Sequence, residues 1–354
     1  MSVHQFYTDV VQFKGNHYDF GYRQGELLRE SALLDNRERQ RASRRKHQFL
    51  IKEQEAFDLF SIYMPSMLEE LRGLADSLGW TMEKTLTEFG GYYVEYERSG
   101  CSILTDPTFM VRNYDSHPAY YEGRYVIYQP TDGGYATIGP SMQITGRTDG
   151  MNEKGLTMGY NFVNRVGSGN GFVCNMIGRM ILETCANVNE AILLLKNIPH
   201  RTLFNYILLD PNGETYVVET SPRKVEARKS NISTNHFELL TEENRYRMDD
   251  SLRRTKILEA KQNDHLRVFD AYQLLNHQGN EIFSNQYDAS AGTIHTTAYL
   301  PREMKALYAI GGNRMPVIFD FHSILAGETT NIKQIKGQLE YDQPFVNMEG
   351  IHIL

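Results

Sequence analysis

In the first hundred residues, apolar positions recur at helical spacing. After Pro65–Ser66 they fall at Met67, Leu68, Leu71, Leu74, Ala75 and Leu78, and Gly79 follows. This predicts one amphipathic helix ended by a glycine. A second helix is expected after Thr81, fading through the aromatic run Tyr92, Tyr93 and Tyr96, and a short strand is expected over 10–13. The rhythm changes at Cys101. Short apolar or alternating runs bounded by turn residues predict strands over 101–104, 109–112, 124–129, 135–138 and 157–162. The turn Asp210-Pro211-Asn212-Gly213 joins runs 203–209 and 214–220 into a hairpin. Helices are expected over 174–185, 189–197, 250–261 and 268–276, and strands return over 293–299 and 306–310. Strands, helices and strands again imply two packed sheets with helices outside. One boundary, near residue 100, separates the helical part from the β-rich part.

Composition narrows the function. The chain has 354 residues, 41% hydrophobic and 23% charged, which suits a globular protein with a substantial core. A net charge of −7 argues against nucleic acid as a partner, because phosphate binding needs a positive surface. A basic run from Arg37 to Lys46, with Arg39, Arg41, Arg44 and Arg45, is expected to be a solvated helix face. The opening residues Met1–Phe6 carry no signal-peptide pattern, and no apolar run is long enough for a membrane span. Three cysteines do not make a disulfide framework, so a cytoplasmic protein with reduced thiols is expected. The eleven histidines show no metal-ligand spacing, and no metal or cofactor is expected. Gly167-Ser168-Gly169-Asn170-Gly171 lacks the lysine and hydroxyl of a phosphate cradle and reads as a flexible loop beside the substrate pocket.

The chemistry concentrates at Ser99-Gly100-Cys101-Ser102-Ile103-Leu104, with Arg112-Asn113-Tyr114-Asp115 beyond the turn Thr105–Thr108. Cys174 and Cys185 share an apolar stripe and read as core residues. Cys101 follows a glycine at the start of a strand. A free thiol is only a few per cent thiolate at neutral pH and needs a base or a nearby cation. No histidine stands at an obvious partner position; His236 follows Asn235, and on a strand the two would face opposite ways. An N-terminal α-amine, with a pKa of about 7.7–8.0, matches a thiol well. Cleavage between Gly100 and Cys101 would put that amine on the residue that carries the sulfur.

Further blocks accompany this cysteine: Gly21-Tyr22-Arg23-Gln24-Gly25, Gly150-Met151-Asn152-Glu153-Lys154-Gly155-Leu156, Ser233-Thr234-Asn235-His236, and Ser251 with Arg254. In this order along nearly the whole chain, they resemble the N-terminal nucleophile (Ntn) hydrolases. The likeness is to the acyl-coenzyme A:isopenicillin N (6-aminopenicillanic acid) acyltransferase branch, beside the choloylglycine hydrolases. The resemblance implies an α+β fold, a four-layered αββα sandwich of two antiparallel sheets, with Cys101 at the end of a central strand. It implies self-cleavage at Gly100–Cys101 into a helical segment 1–100, integral to the fold, and a catalytic segment 101–354.

Carried over by position, the resemblance makes Cys101 the nucleophile. Arg112 favours thiolate and Asp115 orients the α-amine. Asn161 stands at the oxyanion and substrate position, Asn235 in the oxyanion hole, and Arg254 at a site arginine. Glu219 matches a structural acid. The chain departs from the fungal acyltransferase pattern at Ile103, where that pattern has threonine. The implied activity is hydrolysis or transfer of the acyl group of a linear amide, N-acyl amino acid, β-lactam side chain or acyl-CoA through a thioester. The implied partner is a small-molecule substrate, with no membrane; homo-oligomer formation stays open. The alternative is a non-catalytic binding protein of the same fold that stays uncleaved.

Overall fold

The N-terminal strand β1 (Val3–Gly15) leads into α1 (His17–Arg29), α2 (Leu33–Ala42), α3 (Glu53–Tyr63), α4 (Ser66–Leu78) and α5 (Met82–Phe89). Strands β2 (Ser102–Asp106), β3 (Phe109–Ser116), β4 (Arg124–Pro130), β5 (Thr137–Met142), β6 (Gly146–Arg147), β7 (Asp149–Asn152) and β8 (Thr157–Phe162) follow. Helices α6 (Cys174–Thr184) and α7 (Val188–Asn197) precede β9 (Phe204–Leu209), β10 (Thr215–Thr220), β11 (Val225–Arg228) and β12 (Ile232–Ser233). Then come α8 (Asp249–Lys261), α9 (Val268–Asn276), β13 (Asn285–Gln286), β14 (Ala291–Leu300), β15 (Lys305–Ile310), β16 (Val317–Asp320), α10 (Phe321–Leu325) and β17 (Gln334–Glu340). This computed structural model describes residues 2–42, 53–92, 100–163, 168–244, 248–262 and 266–350. Arg44, Arg45, Lys46, Tyr93, Tyr96, Ser99 and Gly167 lie outside the described residues.

Among the described residues the strands form two sheets, one ordered β11-β10-β9-β8-β7-β5-β4-β1-β17 and the other β12-β2-β3-β14-β15-β16. Helices α6 and α7 cover the outer face of the first sheet, and α8 and α9 that of the second. The facing sides meet through Ile103, Met110, Ile207, Leu209 and Val217, and through a larger cluster that includes Phe6, Tyr125, Tyr299 and Tyr308. The protein is thus α+β, two sheets flanked by helices. Strand β1 is thirteen residues long, far beyond 10–13, because it pairs parallel with β4 and antiparallel with β17. Residues before Cys101 therefore belong to the same sheet as residues after it.

Local chemistry explains the helices. Gly79 takes φ +66°, and its N–H closes the last turn of α4, while Thr81 Oγ1 accepts from Lys84 N at 3.2 Å to start α5. Gly21 and Gly73 let α1 and α4 cross closely: a Cβ at Gly21 would lie 1.9 Å from the Glu70 carbonyl oxygen. The block Gly21–Gly25 is therefore helix packing.

Two expectations need correction. Strand β2 begins at Ser102 and is second from the edge, beside the two-residue β12, so Cys101 does not end a central strand; β3 and β14 are the central ones. Arg37 is not on a solvated face: it pairs with Glu88 and Glu122 and lies 4.9 Å from the Phe89 ring centroid.

Candidate active site

The β2–β3 hairpin places the cysteine. Ser102 pairs with Asn113 and Ile103 with Arg112. Alternation along a strand then puts Cys101, Ile103 and Arg112 on the side facing the other sheet, and Ser102, Asn113 and Asp115 on the side facing α8 and α9. Cys101 is fully buried. Arg112 Nη2 lies 3.7 Å from its Sγ, and the Asp115 backbone N–H points at the same sulfur from 3.4 Å.

Arg112 and Asp115 do not form an ion pair, because three residues apart on a strand they stand on opposite faces. The guanidinium is held by Asp149. Nη1 donates to that carboxylate and to Thr148 O at 2.5 Å, and Nη2 to Tyr160 O at 2.8 Å. Asp149 also accepts from Thr148 and Thr297 Oγ1 and from the Tyr299 hydroxyl, each at 2.8 Å, with His295 Nε2 at 3.4 Å. Burial opposes its ionisation, but Arg112 and His295 outweigh burial and hold the carboxyl below the usual range. Burial likewise pushes His295 down, toward its neutral form. Asp149 was not among the expected site residues. The available signal was its place immediately before the Gly150–Leu156 block.

On the other side, Asp115 Oδ1 accepts from Thr293 Oγ1 at 2.8 Å, and its Oδ2 lies 3.5 Å from where a Cβ on Gly100 would stand. Burial raises its pKa to about 7, with Arg254, Thr293 and Arg112 pulling the other way. Arg254 is the hub of this face. Nη1 donates to Cys101 O at 2.6 Å and Ser102 Oγ at 2.8 Å, Nη2 to Asn235 Oδ1 at 2.8 Å, and Nε to Asp250 at 2.8 Å. Its neighbour Arg253 turns outward to Asp250 and Glu281. Asn235 Nδ2 donates to Phe162 O at 2.8 Å, and its backbone N–H to Ser251 Oγ at 2.7 Å.

Asn161 completes the set. A Cβ on Gly159, two residues earlier on β8, would touch Ile103 and the Arg112 stem, so Asn161 shares the inter-sheet face with them. It is fully buried, and neither its Nδ2 nor its Oδ1 has a hydrogen-bond partner among the described residues. Such a group is costly unless a ligand or water satisfies it. The structure therefore gathers Arg112, Asp115 and Arg254 around Cys101, with Asn235 joined to it through Arg254 and Asn161 on the facing strand.

Other expected features are architectural. Asn152 ties the β7–β8 turn, accepting from Lys154 N and Leu156 N, each at 3.0 Å, and donating to Leu182 O and Cys185 O. Glu219 accepts the backbone N–H groups of Glu238, Leu239 and Leu240, holding the segment after Asn235. Cys174 and Cys185 are buried in the core under α6, and burial pushes both thiols up, Cys185 to about 11. Gly169 and Gly171 pack on Pro222 and on Pro199–His200, and Gly169 N bonds Arg201 O at 2.9 Å, which pins this part of the glycine-rich loop. Among the described residues no group of three or more His, Cys, Asp or Glu side chains is arranged to hold a metal, and no helix is long and apolar enough to cross a membrane.

No curated protein matches the chain. Among solved structures, it is similar to the conjugated bile acid hydrolase of Clostridium perfringens, at 15% identity over 72% of this chain and 99% of that one, with a TM-score of 0.48. It is also similar to penicillin V acylase from Agrobacterium tumefaciens, at 14% identity over 62% and 84%, with a TM-score of 0.40. An N-acylethanolamine-hydrolyzing acid amidase ortholog of Caenorhabditis elegans matches at 11% over 57% and 93%, TM-score 0.41. Residues 104–315, more than half of the chain, match the family model for acyl-coenzyme A:6-aminopenicillanic acid acyl-transferase. On that match, the chain belongs to the acyl-coenzyme A:6-aminopenicillanic acid acyl-transferase family.

Proposed function

We propose that this protein is a self-cleaving cysteine acylase of the Ntn type, which hydrolyses or transfers the acyl group of an amide or thioester substrate through Cys101. The observation that carries the reading is the two-sided setting of Cys101. Its sulfur meets Arg112 at 3.7 Å on one face, while the Asp115 carboxyl lies beside Gly100 on the other. Family membership supports acyl chemistry; linear amides, N-acyl amino acids, β-lactam side chains and acyl-CoA are the substrate classes it favours.

In maturation the Cys101 thiol attacks the Gly100 carbonyl carbon and the sulfur proton passes to the Cys101 nitrogen. The C–N bond breaks, leaving a thioester that water hydrolyses. The chain becomes 1–100 and 101–354, still joined through the sheet that contains β1. The freed α-amine lies near Asp115, which holds it in place.

In turnover that amine takes the thiol proton, and the sulfur attacks the substrate carbonyl. The Asn235 amide, oriented by Arg254, and the polar face of Asn161 meet the developing oxyanion. One such donor is worth about 10²–10³ in rate. The ammonium then protonates the leaving group. Water or an amine acceptor attacks the thioester and returns its proton to the α-amine.

Intact-mass analysis of the purified protein tests this. Two fragments are expected, the larger beginning at Cys101, and Cys101→Ala should stay a single chain that releases no acyl group from phenoxyacetyl, N-acyl amino acid or acyl-CoA probes. An uncleaved wild-type chain that is inert to every probe would point to the binding-protein alternative, and acyl release surviving in Cys101→Ala would sink the mechanism.

A further inference from the structure

Asn205 is fully buried on β9, directly opposite Asn161 on β8. In a strand otherwise composed of Phe, Tyr, Ile and Leu, it is the single polar amide. Its Nδ2 donates to Thr234 O at 3.1 Å and to His236 O at 2.8 Å, the two carbonyls that flank Asn235. One amide bridging these carbonyls fixes the Thr234–Asn235 and His236–Phe237 peptides, which bracket Asn235 and His236.

We propose that Asn205 is a positioning residue for acyl transfer: it locks the Asn235 segment to the strand pair that carries Asn161, so that the two asparagines approach the reacting carbonyl in one fixed relation. This rests on the function proposed above. The clamp is closed by Asn235 itself, whose Nδ2 donates to Phe162 O, the residue after Asn161. The segment 234–236 leaves the short strand β12 and is not part of a regular ladder. Its placement therefore depends on side-chain bonds, those of Asn205 from below and of Ser251 from the α8 side. Oxyanion donors must be placed within about 0.5 Å to act. A misplacement of about 1 Å costs on the order of 10²-fold in rate.

Two reactions of the same sulfur separate positioning from general support. Acylation by p-nitrophenyl acetate builds an oxyanion, while alkylation by iodoacetamide does not. In Asn205→Ala the burst of p-nitrophenolate should slow about 10- to 100-fold, with alkylation of Cys101 within about 2-fold of wild type. Rates are referred to the cleaved fraction measured by mass.

Asn205→Asp keeps the volume and decides the question if the alanine variant fails to fold. Its carboxyl faces two carbonyls, and only its protonated form returns one donor. Its acylation rate should therefore fall with rising pH relative to wild type, again with alkylation unchanged. A variant that keeps the wild-type denaturation midpoint yet stays uncleaved also supports the proposal, because cleavage is itself an acyl transfer at this sulfur; the comparison of acylation with alkylation applies to cleaved protein, whose α-amine activates the thiol. Equal loss of acylation and alkylation, or no loss of either, overturns it. A wild-type protein alkylated at Cys101 that gives no burst overturns the proposed function first, and this inference with it.

Discussion

Arg112 and Arg179 are both wholly buried, and the difference between them separates a site from a scaffold. Arg179 on α6 binds Glu70 of α4 at 2.6 Å and Glu183 one turn away, and its guanidinium faces the Phe20 and Tyr128 rings. His17 on α1 closes this cluster, its Nε2 3.1 Å from Glu183 and its Nδ1 2.7 Å from Asp132. Burial pulls the His17 pKa down, but Glu183 and Glu70 more than offset this and the net shift is upward. With His17 protonated, Arg179 and His17 both contact buried carboxylates, and the buried Arg147 adds positive charge beside Glu183 and Glu70. Arg112 has one carboxylate, Asp149, and a neutral His295, so its cluster is balanced only while Cys101 keeps its proton. Ionising the sulfur leaves one negative charge over. On the proposed mechanism the α-ammonium freed by cleavage supplies the missing positive charge.

Exchanging each arginine for leucine should break the comparison most visibly. Arg179→Leu leaves Glu70 without its contacting cation and Glu183 with His17 alone, and should cost about 3–5 kcal/mol, seen as a large fall in the denaturation midpoint. Arg112→Leu should cost less stability, because Asp149 keeps Thr148, Thr297 and Tyr299. Acyl release should instead fall by about 10² or more. Equal stability losses with activity retained in Arg112→Leu would erase the distinction.

Asp115 offers the next test, in the uncleaved Cys101→Ala background. Its folded pKa of about 7 lies above the ordinary 3.8. The folded state therefore holds the extra proton between those values, and stability falls as pH rises from about 4 to 7. Asp115→Asn removes that penalty. It should raise stability at pH 8 by up to about 4 kcal/mol and leave pH 4 unchanged, measured by urea denaturation. A gain of the same size at both pH values would contradict the assignment.

The smallest effect concerns His17. Its folded pKa is raised, so its contribution is full below the unfolded value near 6.5 and is lost as pH climbs through the folded value. Relative to His17→Gln, wild type should lose stability across that window, measured by urea denaturation at a series of pH values. A flat difference would mean that the cluster is completed by another cation.

Much of this was legible in the chain itself. The α4 periodicity with its Gly79 stop, the 157–162 strand and the 268–276 helix follow from local spacing, and the structure has them at or within a residue of those limits. The reach of β1 was hidden, because its length comes from partners in β4 and β17 that no local pattern announces. Cys101, Arg112, Asp115, Asn235 and Arg254 stood out through family-like blocks, and the fold brings them together. Asp149 and Asn205 did not. Each matters through what it touches across the sheet, 37 residues from Arg112 in one case and 29 from Thr234 in the other. The Gly21–Gly25 and Gly150–Leu156 blocks carried the resemblance yet serve packing and a turn.

The order of residues alone determined the alternation that turns Cys101 and Arg112 to one face of the second sheet and Asp115 to the other, since side chains on a strand repeat every two positions. Which acid would hold the arginine, and whether the two asparagines would converge, were decided only by the packing of one sheet on the other. Contacts between sheets join positions far apart in sequence, and local propensity does not encode them.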